Sequence, residues 1–208
     1  MADLTELATC IETGKHTRAV ELTTQALDEG ASPDTVLEAL VTGMDKIGVK
    51  FKANQVFVPE VLIAARAMKQ SMEVLEPKLV EAGVKPVATA VIGTVQGDLH
   101  DIGKNLVAMM WKGANFKIVD LGTNVPADKF VQAVKDSGAQ VVGLSALLTT
   151  TMPAMKATVA RLREAGVVCK VLIGGAPVTQ AFADEIGADG YAADAASAVD
   201  KARELVAA

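Results

Sequence analysis

Two short stretches of the chain carry side chains able to do chemistry. The first reads Gly97-Asp98-Leu99-His100-Asp101-Ile102-Gly103-Lys104 and contains one of only two histidines, the other being His16. The second, Ser145-Ala146-Leu147-Leu148-Thr149-Thr150-Thr151, is a cluster of hydroxyls. A zinc site built by protein alone needs three or four ligands, which His16 and His100 do not supply. One histidine is still an adequate ligand when the metal arrives already chelated by a macrocycle. Asp98, two residues before His100, is placed to accept the other ring N–H and fix the imidazole. The plainer alternative makes His100 a helix-cap or surface residue with Asp98 as an incidental neighbour. These residues alone leave both readings open.

Familiar uses of such a loop are excluded by its spacing. Five residues rather than four separate Gly97 from Gly103-Lys104, and Asn105 stands where a Walker A loop needs Ser or Thr. The dinucleotide fingerprint GxGxxG is absent. Two aspartates in the loop would repel a phosphate. A phospho-receiver domain would place its acceptor Asp at the end of the third strand, where Ser145 stands.

The elements that must position these loops fall into two halves. The first 84 residues read as helices only, with amphipathic stretches over Asp3–Thr13 and His16–Glu29. Ser32-Pro33-Asp34 is a helix start, an N-cap Ser followed by Pro at the first helical position. Val36, Leu37, Leu40, Met44, Ile47 and Phe51 then recur at helical steps. Pro59 opens another helix, with Leu62, Ala65, Met68, Met72 and Leu75 along one face. Short connections make the neighbours antiparallel, so a four-helix bundle is expected.

At Gly83-Val84-Lys85-Pro86 the pattern changes to strands alternating with helices, so the expected domains are 1–84 and 85–208. Strands are expected over Val87–Val95, Phe116–Leu121, Gln140–Ala146 and Lys170–Ile173, with a short one near Tyr191. Helices are expected over Lys104–Lys112, Ala127–Ser137, Pro153–Ala165 and Val178–Ile186, with a last one running to the C-terminus. This alternation implies an α/β fold with a parallel sheet covered on both faces. Five strands favour the flavodoxin-like, Rossmann-like order 2-1-3-4-5, which binds ligands beyond the carboxyl ends of strands 1 and 3. Both reactive loops lie there.

Composition narrows the partners. Half the 208 residues are hydrophobic and 3% are aromatic, so the core must be aliphatic. A net charge of -5 argues against nucleic acid, whose phosphates need a basic face. Cys10 and Cys169 are isolated, which suits a reduced compartment. With neither a secretion signal in MADLTELATC nor an apolar run of ~18 residues, a cytoplasmic protein without a membrane partner is expected.

The loops are similar to those of the cobalamin-binding family that includes methionine synthase and the corrinoid proteins of anaerobic methyltransferases. The family motif runs Asp-x-His-x-x-Gly, Ser-x-Leu, Gly-Gly. Here it stands as Asp98-x-His100-x-x-Gly103, 41 residues, Ser145-x-Leu147, 26 residues, then Gly174-Gly175. The resemblance extends to the helical half through Val58-Pro59-Glu60-Val61-Leu62 and Ala64-Ala65-Arg66-Ala67-Met68-Lys69-Gln70. It therefore spans nearly the whole chain.

The resemblance implies a cap domain followed by a cobalamin domain in which His100 ligates cobalt from below, in place of the cofactor's own base. Asp98 would hold the ring, and Thr151 stands where methionine synthases carry a Ser that extends the hydrogen-bonded pair. The added methyl puts the geometry of that extension in question. The displaced nucleotide tail would lie beside the sheet, which would account for small residues at Gly97, Gly103, Ser145, Gly174 and Gly175. A strand-end turn is the alternative for Gly174-Gly175. Ser145 and Thr149 match tail-binding residues, and Ala195 matches one near the tail's far end. Leu99, Asp101, Ile102 and Leu147 complete the cofactor loops. Phe51, Val58 and Val61 match residues covering the upper, methyl-bearing face, with ordinary bundle core as the alternative, above all for Val61.

The implied activity is methyl carriage between cob(I)alamin and methylcobalamin states. With no room for a catalytic barrel, the chain would serve a donor methyltransferase and an acceptor methyltransferase acting on tetrahydrofolate or a thiol. A reductive activase is a further expected partner. A cobalamin-dependent sensor is the competing class. Such proteins usually add a DNA-binding or signalling segment, and none is visible here.

Overall fold

In the computed structural model, which describes residues 2–207, four helices precede a five-stranded parallel sheet. The helices are α1 (Leu4–Glu12), α2 (His16–Asp28), α3 (Pro33–Lys52) and α4 (Val58–Glu81). Their starts follow local chemistry. The Asp3 carboxylate accepts the Thr5 and Glu6 N–H groups, and Ser32 Oγ accepts that of Thr35 ahead of Pro33. At α4 the Glu60 carboxylate turns back to accept the Phe57 N–H at 3.0 Å, so the helix begins at Val58, one residue before Pro59. Helix α1 packs on α3 and α2 on α4, with α3 against α4 and α1 against α2. Leu7, Ile11, Leu22, Leu40, Met44, Ile47 and Leu75 are fully buried among them.

The second half contains β1 (Thr89–Thr94), α5 (Ile102–Gly113), β2 (Lys117–Asp120), α6 (Ala127–Ser137) and β3 (Val141–Ser145). A single 3-10 turn, Thr149–Thr151, leads into α7 (Met152–Glu164), β4 (Lys170–Gly174), α8 (Gln180–Ile186), β5 (Gly190–Ala192) and α9 (Ala195–Ala207). The strand order is β2-β1-β3-β4-β5, all parallel, as the alternating pattern requires. Val91, Val142, Leu144, Val171 and Ile173 supply the sheet's share of a core closed by Phe130, Met155, Val159 and Leu162. Trp111 of α5 is fully buried and donates to the Ala198 carbonyl of α9 at 3.0 Å.

Contacts divide the chain at Pro86–Val87, with Gly113–Asn115 grouping with the helical unit. Sequence and structure differ mainly at element ends. Val87 is exposed rather than in β1. Helix α5 starts two residues early because Asn105 N–H bonds the Asp101 carbonyl at 2.7 Å, so Ile102 and Gly103 lie in its first turn rather than in the loop. Helix α8 starts late, because Thr179 caps it by accepting the Phe182 N–H. Among the described residues no helix is long and apolar enough to cross a membrane.

Candidate cobalamin site

The carboxyl ends of β1 and β3 are neighbours in register, Thr94 opposite Ser145. The two reactive loops therefore leave the sheet side by side. After β1 the chain turns through Gly97, at φ 86°, a left-handed conformation that glycine adopts without strain. Thr94 Oγ1 then donates to the His100 carbonyl at 2.8 Å, drawing the loop back over the strand end.

Asp98 lies at the centre of this loop pair and is 0% exposed. Its Oδ1 accepts the His100 backbone N–H at 3.0 Å and faces His100 Nδ1 at 2.7 Å. Its Oδ2 accepts the Leu147 N–H at 2.7 Å and the Thr151 hydroxyl at 2.8 Å. Thr151 Oγ1 also lies 2.9 Å from the Leu148 carbonyl, but a hydroxyl has one proton and the ionised carboxylate is the stronger acceptor. The Leu148 carbonyl already accepts the Thr151 N–H at 3.0 Å. Burial alone would push the Asp98 carboxyl up. The donors from Leu147, His100 and Thr151 outweigh it and hold the group well below the usual carboxylate range.

An ionised Asp98 fixes the histidine tautomer. Nδ1 carries the proton toward Asp98, leaving the Nε2 lone pair free, and the His100 side chain is 50% exposed. Leu99, Leu147 and Leu148 of these two loops, and Ile102 at the start of α5, are exposed apolar side chains. A half-exposed, ring-locked imidazole beside apolar side chains suits a large flat ligand carrying its own metal. Among the described residues no group of three or more His, Cys, Asp or Glu could hold a bare ion.

Beside this pair the sheet presents a row of small residues. Thr94, Ser145, Gly174 and Ala192 are successive register partners across β1, β3, β4 and β5. Of the expected tail residues, Ser145 and Gly174 lie in this row across the carboxyl ends of the strands, and Ala195 stands at the start of α9. Thr149 opens the 3-10 turn and is exposed. The glycines separate by cause. At Gly175, φ is 131° and a Cβ would lie 1.8 Å from the Ala146 carbonyl oxygen, so the chain's own backbone demands glycine there. At Gly103 a Cβ would meet nothing within 4 Å, so no contact inside the protein explains the small residue.

In the helical unit, Phe51 and Val58 are half-buried, whereas Val61 is 1% exposed. Asp101 is exposed and bonds Asn105 Nδ2 at 3.0 Å, a helix-start contact.

Two contributors escaped the sequence. Beyond β2, Val125 bridges to Val95 and extends the β1–β2 pairing. Between them Asn124 sits at φ 54°, accepts the Gly97 N–H on Oδ1 at 2.8 Å and donates its own N–H to the Asp98 carbonyl at 2.9 Å. Lys104 of α5 is buried and bonds both oxygens of Asp120, at 2.6 and 2.5 Å. Asp120 also accepts the Gly122 N–H, fixing the turn that leads to Asn124. The left-handed turn Gly122-Thr123-Asn124 was the available signal, but its target depends on strand register.

The B12 binding domain family matches residues 88–200, and a second B12 binding domain family matches residues 4–76. A corrinoid protein of Desulfitobacterium hafniense is 41% identical over 99% of this chain and 98% of its own. A dimethylamine corrinoid protein of Methanosarcina acetivorans is 39% identical over 98% and 96%. The solved methanol:cobalamin methyltransferase complex of Methanosarcina barkeri contains a chain superposing with a TM-score of 0.84 at 31% identity, covering 97% of this chain and 78% of that one. The chain belongs to the family of cobalamin-binding corrinoid proteins.

Proposed function

We propose that this chain is a methyl carrier in which His100 Nε2 would hold the cobalt of a corrinoid. The observation that carries the reading is the buried Asp98 carboxylate, which locks Nδ1 and leaves Nε2 as the available donor. When bound, the corrinoid supplies a cobalt that takes up and releases a methyl group. The protein's part is to place the imidazole and to hold the Nδ1 proton between His100 and Asp98, with Thr151 bracing the carboxylate from the second loop. Leu99, Ile102, Leu147 and Leu148 give the macrocycle an apolar bed. The row Thr94–Ser145–Gly174–Ala192, with Gly97, Gly103, Thr149, Gly175 and Ala195 nearby, accommodates the nucleotide tail. In the helical unit, Phe51 and Val58 are the residues the resemblance assigns to the methyl-bearing side.

The partners are methyltransferases, in keeping with the relatives' names. We assign a donor enzyme acting on a small methylated compound and an acceptor enzyme acting on tetrahydrofolate or a thiol, with a reductive activase restoring the lowest oxidation state. The test is electron paramagnetic resonance of the cob(II)alamin-loaded protein. A histidine nitrogen coupling lost in His100→Ala is expected, and a coupling unchanged in that variant would overturn the assignment.

A further inference from the structure

We infer that Asn124 is a positioning residue that clamps the His100 loop in its ligating conformation from the outer side. The inference rests on the reading of His100 as the cobalt ligand. Gly97 and Asp98 precede Leu99-His100, and both are held by Asn124. Its side-chain oxygen accepts from Gly97 N–H at 2.8 Å, and its backbone N–H donates to the Asp98 carbonyl at 2.9 Å. The opposite side of the loop is held differently, by Leu147 and Thr151 on the Asp98 carboxylate.

The clamp has a reason to exist. Gly97 at φ 86° is the most permissive point of the loop, and its N–H lies on the exposed surface. Without a fixed acceptor that amide would be free to turn to water, carrying the Asp98 backbone away from the point where its carboxylate reaches both His100 and Leu147. Asn124 is itself fixed on both sides. Thr94 N–H bonds the Gly122 carbonyl, Val125 N–H bonds the Thr94 carbonyl, and Lys104–Asp120 holds the turn before it. Asn is among the few residues with a side chain that tolerates the left-handed conformation here and still offers an acceptor. One neutral hydrogen bond corresponds to roughly 2- to 13-fold in a local equilibrium.

Two variants separate the side chain from the backbone. Asn124→Gly keeps the positive φ and the N–H to Asp98 but removes the acceptor, whereas Asn124→Asp keeps the acceptor. In the cofactor-free protein, amide hydrogen exchange at Leu147 is the reporter. That N–H bonds Asp98 Oδ2 from the other loop and shares no hydrogen bond with Asn124. Asn124→Gly should speed Leu147 exchange by roughly 2- to 13-fold. After reconstitution with hydroxocobalamin and reduction, it should also lower the fraction of cobalt showing histidine coupling. Asn124→Asp should restore both. Faster exchange at Gly97 alone, with Leu147 and the coupling unchanged, would reduce Asn124 to a local turn residue and overturn the proposal. So would failure of Asn124→Asp to restore them. If the unsubstituted protein shows no histidine coupling, the ligation reading falls while the Leu147 result still decides the clamp.

Discussion

Replacing Thr151 by Val removes one hydroxyl and keeps the shape of the side chain. Asp98 Oδ2 then retains only the Leu147 N–H, in a site where the residue is 0% exposed. A hydrogen bond to a charged group is worth about 1.5–3 kcal/mol. The lone pair left behind has no water to turn to, so the upper half of that range applies. Thr151→Ser is the control, since it keeps the donor and loses one methyl, worth about 0.8 kcal/mol. The assay is denaturant unfolding of the cofactor-free protein followed by the fluorescence of Trp111. This is the chain's single tryptophan, buried in α5, so the signal reports the α/β unit even if the helical unit melts separately. Val should be less stable than Ser by about 1.5–2 kcal/mol. In the holo-protein Val should weaken histidine ligation, whereas Ser should not. Equal stability of the two variants would show that the Thr151 hydroxyl does not donate to Asp98 and that Leu147 alone serves Oδ2.

The glycine, lysine and cysteine positions yield four more tests. Gly103→Ala should raise cofactor-free stability by up to about 1 kcal/mol through helix propensity while weakening cobalamin retention, measured by gel filtration of the loaded protein. Gly175→Ala should cost about 3 kcal/mol or more or prevent folding, because its Cβ would strike the Ala146 carbonyl; soluble expression at normal stability would contradict the backbone argument. Asp120→Asn should destabilise more than Lys104→Met, since the first strands a buried ammonium and the second a carboxylate that is 39% exposed; denaturant midpoints decide the order. Cys10 and Cys169 are buried, and desolvation raises both thiols above their usual range. Neither should react with iodoacetamide at neutral pH until its own unit opens, so mass-resolved alkylation would time the two units independently.

The strand order and the pairing of the two loops were legible because they follow from alternation and from the rule for parallel sheets. Asp98 as the partner of His100 was legible because two residues of separation keep both groups on one turn. Leu147 as a donor was not, since the pattern showed a hydrophobic residue while the bond uses its backbone. Asn124 was invisible for a related reason. Its meaning lies in the register that sets Val125 beside Val95, a relation between distant segments that no local spacing encodes. The start of α5 was misjudged because Asp101, Ile102 and Gly103 were assigned to the loop, although aspartate is an ordinary helix start.

The row from Thr94 to Ala192 has a consequence for how such proteins diverge. Its length is set by the main chain, three inter-strand steps of about 4.8 Å or roughly 14 Å in all. No point substitution can lengthen or shorten it; only adding or removing a strand can. Substitutions change its depth alone, one methyl at a time. Drift in sequence therefore reshapes the floor of this row long before it alters the span, and chains that share few of their side chains keep the same span.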